Sequence, residues 1–329
     1  MPSVHQASLK IVEKLMPLDI RIPKWDPNRL EPRDCPFCST ASNTTEYQRP
    51  DGLVVKRCKS CKTLFVSPAP NANALDEFYS SYHAQYFKVS SETSEEALFN
   101  LKAADPFDDV RIQVISSLLD IKKSRVLDVG CGKAQFLFLL KRLGADVVGI
   151  EINEDAVSFS KRLGIKSIHS GTIESFKGEK KFDLITLNDI IEHPLNPLEL
   201  LRKTIELLNT DGLLLIWTPN GDRPDVDSEK VTLRVDLEHL QYLGAKTLKY
   251  LTQSLPLEIL HYETLGYPSF EAVTNKTPMI TKRFKVFAKS FAKKTPGFML
   301  ANRIRQKLLA SDTVRLGNYH LFCVLRKID

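Results

Sequence analysis

Four of the six cysteines in this 329-residue chain fall in two pairs: Cys35 and Cys38 in CPFC, and Cys58 and Cys61 in CKSC. Two-residue spacing lets both thiolates of a pair turn onto one ion, and two such knuckles complete a tetrahedral S4 site. The nineteen residues between the pairs include Asp51-Gly52, a hairpin signal between short strand-like runs. The pattern predicts a small ribbon closed by zinc. Paired disulfides or four free thiols are the alternatives, and a reducing compartment disfavours the disulfides. Four thiolates leave no coordination position for water or substrate, so the expected role is structural, and a ribbon this short should unfold on chelation.

The second constellation is RVLDVGCGKAQFLFLLKRLGADVVGIEIN, from Arg125 to Asn153. An apolar strand runs into Gly130 and Gly132, a helix follows, and a second strand ends at Glu151. Glycines without side chains let a ligand approach the backbone, and an acid at the next strand end can accept both hydrogen bonds of a ribose diol. By themselves these residues suit NAD, FAD or S-adenosylmethionine equally.

The elements that must position these residues alternate from Val110 onward. A helix over DVRIQVISSLLDI precedes strand RVLDVG, helix AQFLFLLKRLG, strand DVVGIEI, helix EDAVSFSKRLG and the short strand KSIHSG. Strand FDLITLND, helix NPLELLRKTIELLN, strand DGLLLIWTP, helix AKTLKYLTQSL and strand LEILHYETLG follow. The terminal YHLFCVLRKI has the alternation of a last, antiparallel strand. Such alternation predicts an α/β fold with a parallel sheet covered on both faces, binding its ligand at the carboxyl ends of the strands.

VLDVGCGKAQFL resembles motif I of the class I S-adenosylmethionine-dependent methyltransferases, with Asp128 as the acid two residues before the first glycine. Gln135 stands where a dinucleotide fold would carry its third glycine, and Ala134 replaces the last glycine of the methyltransferase pattern. VVGIEIN, SGTIESF, FDLITLNDIIEHPLNP and LLNTDGLLLIWTPNGD continue the resemblance in order over roughly 110–268. It implies a Rossmann-like methyltransferase sheet, parallel with one antiparallel strand, beside the small zinc ribbon. It also implies S-adenosylmethionine as cofactor, held by Asp128, Gly130, Cys131, Gly132, Glu151, Ile152, Gly171, Thr172, Ile173 and Asn188. RCKSCKTLFVSPAP and FYSSYHAQYF look like a bacterial group linked to surface-polysaccharide and sugar methylation, similar to deoxysugar C-methyltransferases with a four-cysteine module. Those enzymes continue into a long C-terminal domain without counterpart here, so C- and O-transfer both stay open.

Methyl transfer to a sugar hydroxyl calls for a base near neutrality, and histidine fits. His193 follows strand four; it either takes part directly or packs a loop that orders the cofactor. Glu238-His239 follows strand five, where the sugar C-methyltransferases carry an acid/base pair. The resemblance implies that His239 removes the proton while Glu238 orients the imidazole or grips a substrate hydroxyl. Tyr79, Tyr82 and Tyr86 recur at helical spacing beside His83, either docking a helix or forming a lid whose phenols face substrate. Cys131 has no partner base and reads as a small residue; His169 lies toward the adenine end.

The domain reading is an extension over 1–31, the ribbon over 32–68, a helical lid and polar linker over 69–109, and the catalytic domain over 110–329. An insertion at about 268–317 interrupts the last domain. Between Asn275 and Ala310 stand ten Lys or Arg and no acid, so the net charge of +6 is local and the remaining body is mildly acidic. Nucleic acid is therefore an unexpected partner. Phe284, Phe287 and Phe291 share one helical face and Lys285, Lys289 and Lys293 another. This pattern fits a cap over the acceptor pocket or a dimer contact, an interfacial helix on anionic lipid through 282–307, or attraction to a substrate phosphate. No run approaches the ~18 apolar residues of a membrane span or resembles a signal peptide, so the expected place is the cytoplasm, with possible membrane contact from its inner face. The acceptor is expected to be a sugar or glycan, with a quinone-like or lipid-associated small molecule as alternative, and a silent binding protein on the same fold as the different-class alternative.

Overall fold

The computed structural model describes residues 23–49, 51–80, 101–178, 180–222, 237–265 and 319–329. The readings on Tyr82, His83, Tyr86 and the basic insertion fall outside them.

Strands β6 (Arg125–Val129), β7 (Asp146–Glu151), β8 (Ile168–Ser170), β9 (Phe182–Asn188), β10 (Leu208–Pro219), β12 (Leu257–Leu265) and β13 (His320–Lys327) build a seven-stranded sheet in the order β12-β13-β10-β9-β6-β7-β8. β6 through β10 pair in parallel, and β13 is antiparallel to both its neighbours. The chain leaves β6 for β7 on one side and returns to β9 on the other, so strand order reverses at β6. A crevice at that strand's carboxyl end follows from the topology.

The connecting helices are α1 (Val110–Leu118), α2 (Gln135–Arg142), α3 (Glu154–Arg162), α4 (Pro197–Leu207) and α5 (Ala245–Ser254). Each buries a stripe rather than a full circumference: α2 buries Phe136, Leu137 and Leu140, and α4 buries Leu200, Leu201, Thr204 and Ile205. The Asn153 side chain caps α3 by accepting from the Ala156 N–H at 2.9 Å. Central strands such as β6 are buried on both faces, which explains their continuous Val/Leu runs. No helix among the described residues is long and apolar enough to cross a membrane.

The amino-terminal sheet is less self-contained than its length in sequence suggests. β2 (Asn43–Gln48), β3 (Val54–Cys58) and β4 (Leu64–Val66) form a meander, and β11 (Gln241–Tyr242), from far along the chain, pairs antiparallel with β4. Leu53, Val55, Leu64 and Val66 pack with Leu240 and Tyr242 in one buried cluster. β1 (Leu30–Glu31) pairs with β5 (Ala69–Pro70), and a helix over 72–80 follows, its first turn capped by Asn71. The ribbon thus takes its fourth strand and part of its core from the segment after β10.

Candidate active site and metal centre

At the end of β6, Gly130 and Gly132 have φ of +67° and +51°, and Ala134 at +54° opens α2 in the left-handed region. A Cβ on Gly130 would press on the Cδ1 end of Ile190, which would have to rotate away, and the left-handed φ of Gly130 would strain any residue with a side chain. A Cβ on Gly132 would meet nothing within 4 Å: that side of the turn faces open space. Glu151 is buried at the end of β7, accepting from the Gly132 N–H at 2.7 Å and the Asn153 N–H at 2.8 Å. A carboxylate has about four acceptor sites, so capacity remains for a ligand diol. Ile152, beside it, is half exposed, and the Gly171 N–H donates to the Glu151 carbonyl at 3.0 Å. Thr172 is exposed, whereas Ile173 is buried in the core cluster that includes Phe176, whose ring meets His169 edge to face.

Asp128 lies buried on β6, where Oδ1 accepts from Thr186 Oγ1 at 2.6 Å and Asn188 Nδ2 at 3.0 Å. Burial pushes its carboxyl up to about 6 despite these donors and the Arg111 guanidinium. Arg111 was not foreseen. It donates to Asn188 Oδ1 at 2.8 Å, is paired with Asp109, and lies over the rings of Phe136 and Trp217. A single Arg at the start of an amphipathic helix reads in sequence as a solvated charge. Burial and the Asp128 and Glu151 carboxylates push the Cys131 thiol upward, which leaves it no thiolate at neutral pH.

Past β9, Ile190 closes over Gly130, and two residues further a polar cluster begins. Tyr79 Oη lies 3.2 Å from His193 Nδ1 and donates to the Glu238 carbonyl at 3.5 Å. The His193 and His239 rings meet edge to face with centroids 4.9 Å apart. Three of the expected groups, Tyr79, His193 and His239, are therefore gathered in one place with the backbone of Glu238, from three separate segments. The carboxylate beside the His239 imidazole is Glu192, its Oε1 4.0 Å from Nε2, while its Oε2 accepts from Thr218 Oγ1 at 2.9 Å. Glu192 is fully buried, and desolvation raises it well above the ordinary range. Desolvation, then His193 and Arg49, lower His239 well below the usual histidine value. At neutral pH the His239 imidazole is uncharged. Gln241 joins the two loops: its Nε2 donates to the Ile191 and Pro194 carbonyls at 2.9 and 2.8 Å. Donor atoms of Glu192, His193 and His239 lie within 4.8 Å of one another.

The four ribbon cysteines converge on one point. Cys35 and Cys61 sulfurs are 3.4 Å apart, as are those of Cys38 and Cys58, and all four lie within 4.8 Å of one another. No disulfide joins them in this structure. Tetrahedral thiolates at a bond length of about 2.3 Å stand roughly 3.8 Å apart, so the donor set fits a single ion. The Ser60 N–H at 3.3 Å from Cys58 Sγ and the Thr63 hydroxyl at 3.1 Å from Cys61 Sγ orient two of the sulfurs.

Strand order, glycine turn and strand-end acid together make this the Rossmann-like methyltransferase fold, and residues 104–262 match the family model described as a methyltransferase domain. Residues 104–262 are a methyltransferase domain. Among curated relatives, the ubiquinone biosynthesis O-methyltransferase of Xanthomonas oryzae pv. oryzae is 30% identical over 126 residues, covering 36% of this chain and 53% of that one. Its counterpart in Xanthomonas euvesicatoria pv. vesicatoria is 30% identical over 129 residues, with the same coverage. The chain spans about half the length of these relatives. Of solved structures, a plantazolicin methyltransferase in complex with a triazolic desmethylPZN analogue and S-adenosylhomocysteine superposes with a TM-score of 0.48 and 18% identity, over 78% of this chain and 96% of that one. An S-adenosylmethionine-dependent methyltransferase from Archaeoglobus fulgidus gives a TM-score of 0.44 and 21% identity, over 71% and 100%. The ribbon cysteines lie outside the matched methyltransferase domain.

Proposed function

We propose that this chain transfers a methyl group from S-adenosylmethionine to a sugar or glycan acceptor, with His239 taking the acceptor proton. The observation that carries the reading is the Tyr79–His193–His239 cluster, which stands in the loops next to Ile190, the side chain that closes on the Gly130 turn. S-adenosylmethionine, when bound, supplies a sulfonium-activated methyl carbon. The chain's residues fit it: Glu151 retains acceptor capacity for a ribose diol, Gly132 faces open space, and Asp128, Asn188 and Arg111 form a polar floor at the strand ends. His239 is unprotonated at neutral pH and so can accept a proton, although its burial makes it a weaker base than the near-neutral one expected from sequence. Tyr79 and His193 offer hydrogen-bonding groups that orient an acceptor, and the buried setting keeps water from competing for the methyl group. Zinc held by Cys35, Cys38, Cys58 and Cys61 is structural in this reading, because all four positions are filled by thiolates.

A second reading, O-methylation of a quinone-like phenol, is favoured by the curated relatives, whose names refer to ubiquinone biosynthesis. Radiolabelled methyl transfer from S-adenosylmethionine to UDP- and dTDP-sugars, oligosaccharides and polyprenylated catechols separates the two. Label in a sugar supports the first reading, and label confined to catechols replaces it with the second. Label in none, together with no cofactor binding by calorimetry, leaves a binding protein on a methyltransferase fold.

A further inference from the structure

We propose that Arg49, in the ribbon hairpin, is a positioning residue for methyl transfer, its guanidinium fixing the backbone that carries Glu238 and His239. The inference rests on the reading that these two residues stand at the acceptor.

Arg49 and Asp51 have fully buried side chains and form an ion pair within one tight turn. Asp51 accepts from Arg49 Nε at 3.1 Å and is held on its other side by Trp25 Nε1 at 2.9 Å. Nη2 shares Asp51 Oδ2 with Trp25, and the outer edge of the guanidinium reaches beyond the ribbon. It donates to the carbonyls of His239 and Leu237, so the two contacts bracket Glu238. The hairpin has no need of this pair for its own closure, since backbone bonds from Arg49 N to Leu53 O at 2.8 Å and from Gly52 N to Arg49 O at 3.0 Å already make the turn. Removing both charges from water costs free energy that a solvated turn residue would not incur. What the burial accomplishes is the grip on 237–239, across 190 residues of sequence. A planar fork with donors on two edges can hold a carboxylate on one side and two carbonyls on the other; a lysine ammonium, a point charge, cannot. The next residue is fixed by other means: the Leu240 N–H donates to Glu192 O at 2.8 Å, and the Leu240 carbonyl accepts from Arg33 at 2.9 Å and from the Val66 N–H at 2.8 Å. Arg49 therefore governs the stretch just before that anchor, where the two acceptor-facing residues stand.

The test uses the full zinc-loaded chain. In Arg49→Met/Asp51→Asn no charge is stranded and the Trp25 acceptor is kept; Arg49→Lys keeps the ion pair but loses the fork. Metal content, cofactor affinity by calorimetry, the His239 ring signals in histidine-labelled NMR spectra (assigned with His239→Gln) and labelled methyl transfer to UDP- and dTDP-sugars are compared. The expected result is unchanged zinc and cofactor affinity, displaced His239 signals, and kcat lowered by about 10²-fold in the double variant, with Arg49→Lys recovering only a small part, since misplacing a reacting group by an ångström costs on that order. Wild-type kcat and unmoved His239 signals in Arg49→Lys overturn the proposal, even if the double variant fails to fold. An inactive His239→Gln beside a fully active Arg49→Lys overturns the Arg49 assignment alone, whereas a fully active His239→Gln removes the reading on which it rests.

Discussion

His239 and Asp128 illustrate how burial sets protonation at this site. Because desolvation lowers His239 well below the usual histidine value, its imidazole stays an acceptor through mildly acid pH. The expected kcat profile is flat from pH 8 past 6.5; a loss centred on 6.5 would mean that the essential imidazole is solvated or is another one. His239→Gln should lower kcat by ~10²–10⁴-fold while cofactor affinity, measured by calorimetry, stays unchanged. Asp128 works in the opposite sense on stability. Its carboxyl titrates at about 6 in the fold, above the unfolded value of about 3.9, so the apoprotein keeps a proton that the unfolded chain has already released. The stabilisation is complete below the unfolded value and lost as pH rises through about 6, amounting at most to about 3 kcal/mol. Asp128→Asn should therefore narrow the gap between melting temperatures at pH 5 and pH 8 by several degrees while weakening cofactor binding.

The elements were legible from sequence wherever the signal is local. The strand–glycine–helix unit from Arg125 to Arg142, the Asp51-Gly52 hairpin and the order of the later strands all follow from periodicity and turn chemistry over a few residues. At the glycine turn the structure adds why Gly130 stands there: its φ is left-handed and the Ile190 side chain lies against it. Gly130→Ala should cost ~1–2 kcal/mol from the left-handed backbone alone; the collision with Ile190 adds to that. Thermal unfolding of Gly130→Ala with and without Ile190→Ala separates the two contributions: the second change recovers the collision and leaves the backbone cost. What sequence could not give are the residues that act across the chain. Arg49, Arg33, Arg111 and Gln241 read as ordinary polar positions because these partners lie 47 to 208 residues away. Glu192 was quoted within the fourth-strand motif, yet its place against His239 depends on how two distant loops pack.

At the scale of the molecule, the ribbon and the methyltransferase domain share a sheet and a core, and the ribbon holds the segment that bears His239. Arg33 adds a further bridge, donating from its guanidinium to Val66, Leu195, Leu240 and Gln241, two residues from Cys35. Metal removal is therefore expected to act at a distance. Chelation, or Cys58→Ser, should lower the melting temperature and abolish methyl transfer together, followed by elemental analysis that finds one zinc per intact chain. Retained activity without metal would mean that the ribbon is an appendage. The measurement that bears most directly on the whole account is labelled methyl transfer from S-adenosylmethionine to UDP- and dTDP-sugars by the wild-type chain and His239→Gln in parallel. The account predicts label in at least one sugar with wild type and its near loss in the variant; label in no sugar, or equal label with both proteins, would contradict it.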